Sequence, residues 1–177
     1  MTKLTPLLER NRRFAATDTR EGLAMAPRLQ VIVLTCLDPR VDPAAVLGLE
    51  LGDAAVLRNA GGRVTAGVIE DLAFIGFMAG KALPKGPLFE VAIVHHTQCG
   101  TTLLADPGFR GEFAERSGYS DDALAAEAVT DPHATVALDV DRLLSAPQTS
   151  ARISVSGHVY SVETGLVETV VEPRSKA

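Results

Sequence analysis

Apolar residues along the chain fall into two patterns. Residues 30–35, 53–57 and 89–94 are short, nearly continuous apolar runs rich in Val, Ile and Leu. Continuous rather than alternating apolar character predicts strands buried on both faces, as in a parallel sheet covered by helices. Residues 65–83 instead carry Val68, Leu72, Ile75 and Ala79 at helical spacing and stop before Pro84, which predicts a long helix. Val136, Val140, Leu143 and Leu144 make a second apolar stripe, opened by Asp131-Pro132 as N-cap and first helical residue and running to Pro147. Near the N-terminus, residues 4–16 place Leu4, Leu7, Leu8 and Phe14 opposite Glu9, Arg10, Arg12 and Arg13, an amphipathic helix that must cover its own domain or a second subunit.

Connections follow from the breakers. Residues 18–28 hold Gly22 and Pro27 and read as a link. Asp42-Pro43 opens a short helix to residue 47, ended by Gly48. Pro107-Gly108 reads as a loop, with short helical pieces at 109–116 and 121–128. Residues 153–171 alternate as closing strands around a Glu163-Thr164-Gly165 turn. The order strand, helix, strand, helix, strand predicts an α/β fold: one domain with a mostly parallel β-sheet flanked by α-helices. Residues 1–28 form an N-terminal helical arm and connection, and 29–172 the domain proper.

Composition narrows the class. The chain has 177 residues, enough for one sizeable core, with 46% hydrophobic and 22% charged residues, ordinary for a soluble protein. The formal net charge of −5 with no basic run argues against nucleic acid as a partner. No apolar run approaches the ~18 residues of a membrane span. Residues 1–10 lack an apolar signal core, so the expected location is cytoplasmic. Two cysteines in such a chain point to thiols or metal ligands rather than a structural disulfide.

Both cysteines sit at the ends of apolar runs. Residues 29–35 end in Cys36-Leu37-Asp38-Pro39-Arg40, and the run from Phe89 ends in His95-His96-Thr97-Gln98-Cys99-Gly100. Open α/β sheets put their sites at strand C-terminal ends. Two thiolates and one imidazole suit zinc, and sulfur ligands select against magnesium and calcium. Asp38 either closes such a site as fourth ligand or stands beside a water in that place. His95 points away from His96 if the strand persists and is read as a non-ligand. His133 and His158 read as surface histidines, and Tyr160 as a core or interface residue.

In this order and spacing, Cys36-Leu37-Asp38-Pro39-Arg40, Arg58-Asn59-Ala60-Gly61 and His96-Thr97-Gln98-Cys99-Gly100 resemble the β-class carbonic anhydrases, and residues 157–166 look like that family's closing strands. The resemblance spans residues 31–170 and is nearest the short bacterial and archaeal members. It implies one Zn2+ per chain on Cys36, His96 and Cys99, an Asp38-Arg40 dyad that controls the open coordination position, and a homodimer or higher homo-oligomer. It also implies reversible hydration of CO2 to bicarbonate and a proton by zinc-bound hydroxide. Asn59, Gly61 and Gly100 are the candidate substrate-side positions. Gln98 departs from the acid that close short members often carry there. Proteins with the same motifs hydrolyse COS or CS2, which is the second functional expectation. A closed structural zinc site of Cys36, Asp38, His96 and Cys99 is the third.

Overall fold

The computed structural model describes residues 2–17 and 21–176. Five strands form one sheet: β1 (Val31–Cys36), β2 (Ala54–Asn59), β3 (Glu90–His96), β4 (Ser154–Tyr160) and β5 (Val167–Ser175), in the order β2-β1-β3-β4-β5. The pairs β1/β2, β1/β3 and β3/β4 are parallel, and β5 alone runs antiparallel, on β4. The α-helices among the described residues are α1 (Thr5–Ala15), α2 (Pro43–Val46), α3 (Ala66–Ala82), α4 (Pro107–Ser117), α5 (Asp121–Ala126) and α6 (Pro132–Ser145). This is the single-domain, mostly parallel α/β sheet that the continuous apolar runs predict.

Alternation along the strands divides the core in two. Ile32, Leu34, Val91, Ile93 and Val155 pack with Val68 and Leu72 of α3 and Val136, Val140 and Leu143 of α6. Val33, Cys36, Val94, Cys99 and Tyr160 belong to a second cluster with Val41 and Val129. The two candidate thiols are therefore buried among apolar side chains, which excludes bulk water from one side of them.

Residues 153–171 form the expected closing strands: β4 extends the parallel sheet beside β3, and β5 turns back on it antiparallel. Parallel pairing across a long connection leaves no local mark in the sequence, whereas a hairpin would. Pro107 and Gly108, expected in a loop, open α4, with the Asp106 side chain accepting from the Phe109 N–H. That is the Asp-Pro start also found at α2 and α6. Residues 18–20 of the predicted connection lie outside the described residues. Helix α1 buries no residue in the single chain, and Leu4, Leu7 and Leu8 are each roughly half exposed.

Three strand ends run into short 3-10 segments: Pro39–Val41 after β1, Ala60–Gly62 after β2 and Gly100–Ala105 after β3. Segments of three to six residues are too short to generate a periodic signal. These turns carry the chain sharply off the sheet and cluster the residues that follow β1, β2 and β3 at one sheet edge.

Candidate metal centre

In register, Cys36 ends β1 opposite Asn59 of β2, and Thr35 lies beside Val94 of β3. The two strand ends therefore meet. Cys36, His96 and Cys99 are all buried, and one potential ligand atom from each lies within 4.8 Å of the others. Both cysteines are free. Their sulfurs are 3.9 Å apart, far beyond the ~2.05 Å of a disulfide. Two sulfurs bound at ~2.3 Å to a common tetrahedral ion would lie about 3.8 Å apart.

The histidine makes the stronger case. His96 Nδ1 lies 2.8 Å from the Thr97 carbonyl, so Nδ1 carries the proton and donates it. That assignment leaves the Nε2 lone pair free. His96 Nε2 is buried and has no hydrogen-bond partner, a state shared only with His95 Nε2 among the buried side-chain nitrogens and oxygens of the described residues. A buried unsatisfied ring nitrogen costs about 1–3 kcal/mol. Metal-bound histidines use their second nitrogen in this way, donating to a backbone carbonyl. The three residues thus fit a divalent ion that accepts sulfur ligands, such as zinc, by their own geometry.

The thiols are coupled. The Cys36 hydrogen bond to Cys99 raises the Cys36 pKa and lowers that of Cys99, and burial adds to the Cys36 rise. One proton shared between two sulfurs describes the pair, with the negative charge favoured on Cys99, which also lies 3.2 Å from the Thr101 hydroxyl. Thr101 carries no motif signal and is found only by its place in the turn after Cys99.

Asp38 sits apart from the cluster. The Arg40 Nε and Nη2 donate to its two carboxylate oxygens at 3.0 and 2.7 Å, and the Arg40 backbone N–H adds a third bond at 2.9 Å. The Arg40 hydrogen bonds hold its carboxyl down at about 2, against the opposing effect of burial. The fork is a bidentate pair of the strong, geometrically specific kind. Arg58 fastens the same turn from β2, donating to the Cys36 and Asp38 carbonyls at 2.9 and 2.8 Å and to the Asp42 carboxylate at 3.0 Å.

The candidate substrate-side residues divide. Asn59 turns inward: its side chain donates to the Arg63 carbonyl at 2.8 Å and accepts from the Arg63 N–H at 2.9 Å, closing the turn after β2. Gly61 has φ +82°, and a side chain there would crowd Thr101. Gly100 has ordinary φ and open space around it, so no steric need for glycine exists there. The closer approach is at Gly62, which the motif comparison passes over. Its φ is +68°, and a Cβ would lie 2.9 Å from both the Thr35 carbonyl carbon and the Cys36 nitrogen. Gly62→Ala is expected to destabilise the protein by about 2–4 kcal/mol, combining left-handed strain with overpacking against backbone. Urea unfolding monitored by circular dichroism measures it.

His95 faces the opposite side from His96. It is fully buried, with Nδ1 2.9 Å from the Thr135 hydroxyl and Nε2 3.3 Å from Asp139 Oδ2 at an angle that falls short of a hydrogen bond. Asp139 is itself fully buried and accepts from Arg63 Nε and Nη2 at 2.7 and 3.2 Å and from the Val64 N–H at 3.2 Å. This ionic cluster ties the glycine turn to β3 and α6 on the face of the sheet opposite the Cys36, His96 and Cys99 cluster. His133 is half exposed near Glu168, and His158 is half-buried beside Ser156 and Thr169.

Similarity to known proteins agrees with this geometry. Residues 31–167 match the family described as carbonic anhydrase. Beta-carbonic anhydrase 1 of Mycobacterium tuberculosis is 30% identical over 155 residues, covering 88% of this chain and 90% of that protein. The crystal structure of carbonic anhydrase from Streptococcus mutans is 31% identical, covers 96% of this chain and 98% of its own, and has a TM-score of 0.79. Carbon disulfide hydrolase of Acidianus sp. is 38% identical over 68 residues, which is 38% of this chain and 30% of that protein. A family match over most of the chain, joined to a fold shared end to end, establishes that this chain belongs to the carbonic anhydrase family, in its β class.

Proposed function

We propose that the chain is a zinc-dependent carbonic anhydrase that interconverts CO2 and water with bicarbonate and a proton. The observation that carries the proposal is the unsatisfied, buried His96 Nε2 facing two free thiols, with a carboxylate held beside them but out of the cluster. Cys36, His96 and Cys99 would hold one Zn2+ per chain. When bound, zinc supplies a Lewis-acid position at which water becomes a nucleophile near neutral pH.

The chain's own groups account for the rest. Two thiolates offset most of the charge of a divalent ion, so a nearby hydrogen-bond acceptor gains importance for ionising and orienting the attacking water. Asp38, ionised throughout the neutral range, is that acceptor. Arg40 occupies both Asp38 oxygens, and this keeps the carboxylate from becoming a fourth ligand. Loss of the fork would let Asp38 close the site. The glycine turn at Gly61 and Gly62 lets backbone approach without side-chain bulk, leaving room for a small linear molecule.

A homodimer or larger assembly belongs to the same proposal, supported by the uncovered leucines of α1 and by exposed Phe74 and Phe77 on α3. So does a cytoplasmic location, which suits two buried thiols that must stay reduced.

Stopped-flow CO2 hydration on zinc-loaded protein, beside COS and CS2 assays, tests the reaction. Rapid CO2 hydration with little sulfide release is expected, and the reverse pattern overturns the proposal in favour of a COS or CS2 hydrolase. Chelation separates a catalytic from a structural ion. Activity should vanish while the far-ultraviolet circular dichroism is retained, because both apolar clusters persist without metal. Unfolding on chelation would instead mark a structural site.

A further inference from the structure

Arg40 is held from two sides. Beyond its fork on Asp38, its Nη1 donates to Gln98 Oε1 at 3.1 Å and its Nη2 to the Gln98 carbonyl at 3.1 Å. The other end of the Gln98 amide, Nε2, donates to Glu163 Oε1 at 2.6 Å. Glu163 lies after β4, in the segment that leads to β5, and is anchored there by the Thr97 hydroxyl at 2.7 Å and the Ser161 hydroxyl at 3.2 Å. Those hydroxyl and amide bonds also hold its carboxyl below the usual range.

We infer that Gln98 and Glu163 are positioning residues that hold Arg40 on Asp38 and so keep the metal position open; the inference rests on the metal-centred reading proposed above. An amide has one accepting end and one donating end. An ionised carboxylate only accepts, so Glu163 compels the NH2 of Gln98 toward itself and the oxygen toward Arg40. The amide therefore transmits orientation without bringing a second full negative charge to the guanidinium. A carboxylate at position 98 would compete with Asp38 for Arg40, whereas the amide supports the fork without competing.

The backbone adds an independent sign of this function. Gln98 has φ +57°, one of two non-glycine residues with positive φ among those described. This is a sparsely populated region for a residue with a side chain, and strain of this kind gathers at functional sites. The bend brings both the carbonyl and the side-chain oxygen of one residue onto Arg40.

The test uses the full chain loaded with cobalt in place of zinc and reads azide affinity from the visible spectrum, since azide needs the position that Asp38 would otherwise take. Gln98→Met preserves length while removing the amide, and Glu163→Gln removes the charge that orients it. Each is expected to weaken azide binding by roughly threefold to tenfold, the range for losing one ordinary net hydrogen bond. Gln98→Glu should weaken it at least as much. In an Asp38→Ala background there is no carboxylate to close the site, so the same substitutions should leave azide affinity unchanged. Equal losses in both backgrounds, or no loss in either, overturn the inference while leaving the metal centre intact. Failure of the unmodified protein to take up cobalt overturns the metal-centred reading, and this inference with it.

Discussion

Cys36→Ser is expected to leave the protein folded, nearly free of zinc, and with CO2 hydration reduced by at least about a thousandfold. Loss of a partner that merely orients a metal ligand weakens binding by about 10–100-fold, and Cys36 would supply one of three ligand atoms directly. The serine hydroxyl is isosteric but remains protonated near neutral pH, so it offers a poor donor to a soft site. Zinc content by plasma emission spectrometry and initial rates by stopped flow give the two readouts. A Cys36→Ser protein that retains CO2 hydration would sink the zinc mechanism.

Asp139→Ala carries the largest expected effect on stability. Arg63 and Asp139 are both essentially inaccessible, at 2% and 0% exposure. Removing the carboxylate strands a buried guanidinium, for which about 3–5 kcal/mol is the usual penalty. For a chain of this length that corresponds to a fall in Tm on the order of 10 °C. The native pair also predicts a pH dependence. Burial pushes the Asp139 carboxyl up, but His95 and Arg63 outweigh it and hold the value at about 2, below the ordinary 3.8. A depressed native value means that the unfolded chain binds the proton more readily. The stabilisation is therefore complete above about pH 4 and is lost as pH falls toward 2. Differential scanning calorimetry at pH 7, 4 and 3 on both proteins checks this: the gap between them should be widest at pH 7 and narrow toward pH 3.

Arg63, His95 and Asp139 show where local pattern stops being informative. Asp139 lies within the apolar helix stripe that also holds Val136, Val140 and Leu143, which marks its face as buried but says nothing of what the carboxylate meets. Its partner Arg63 is 76 residues away. His95 could be set apart from His96 by strand alternation alone, yet that same alternation says nothing of what its ring meets. Gln98 was visible as a departure from a motif, but its tie to Glu163 spans 65 residues and depends on how the segment after β4 folds back.

By itself the sequence determined the layer architecture, because continuous Val/Ile/Leu runs separated by amphipathic helices have few stable arrangements other than a covered parallel sheet. It also determined the chemistry available at the strand ends, since the only two cysteines and one of two adjacent histidines terminate such runs. Tertiary structure alone decided how those groups meet. The parallel register puts the Cys36 and Cys99 sulfurs 3.9 Å apart. The Thr97 carbonyl selects which His96 nitrogen is left free, and Arg40 bonds both the Asp38 carboxylate and Gln98 beside the three candidate ligands. Local periodicity encodes which face of an element is apolar; distances between groups tens of residues apart are set only when the elements pack.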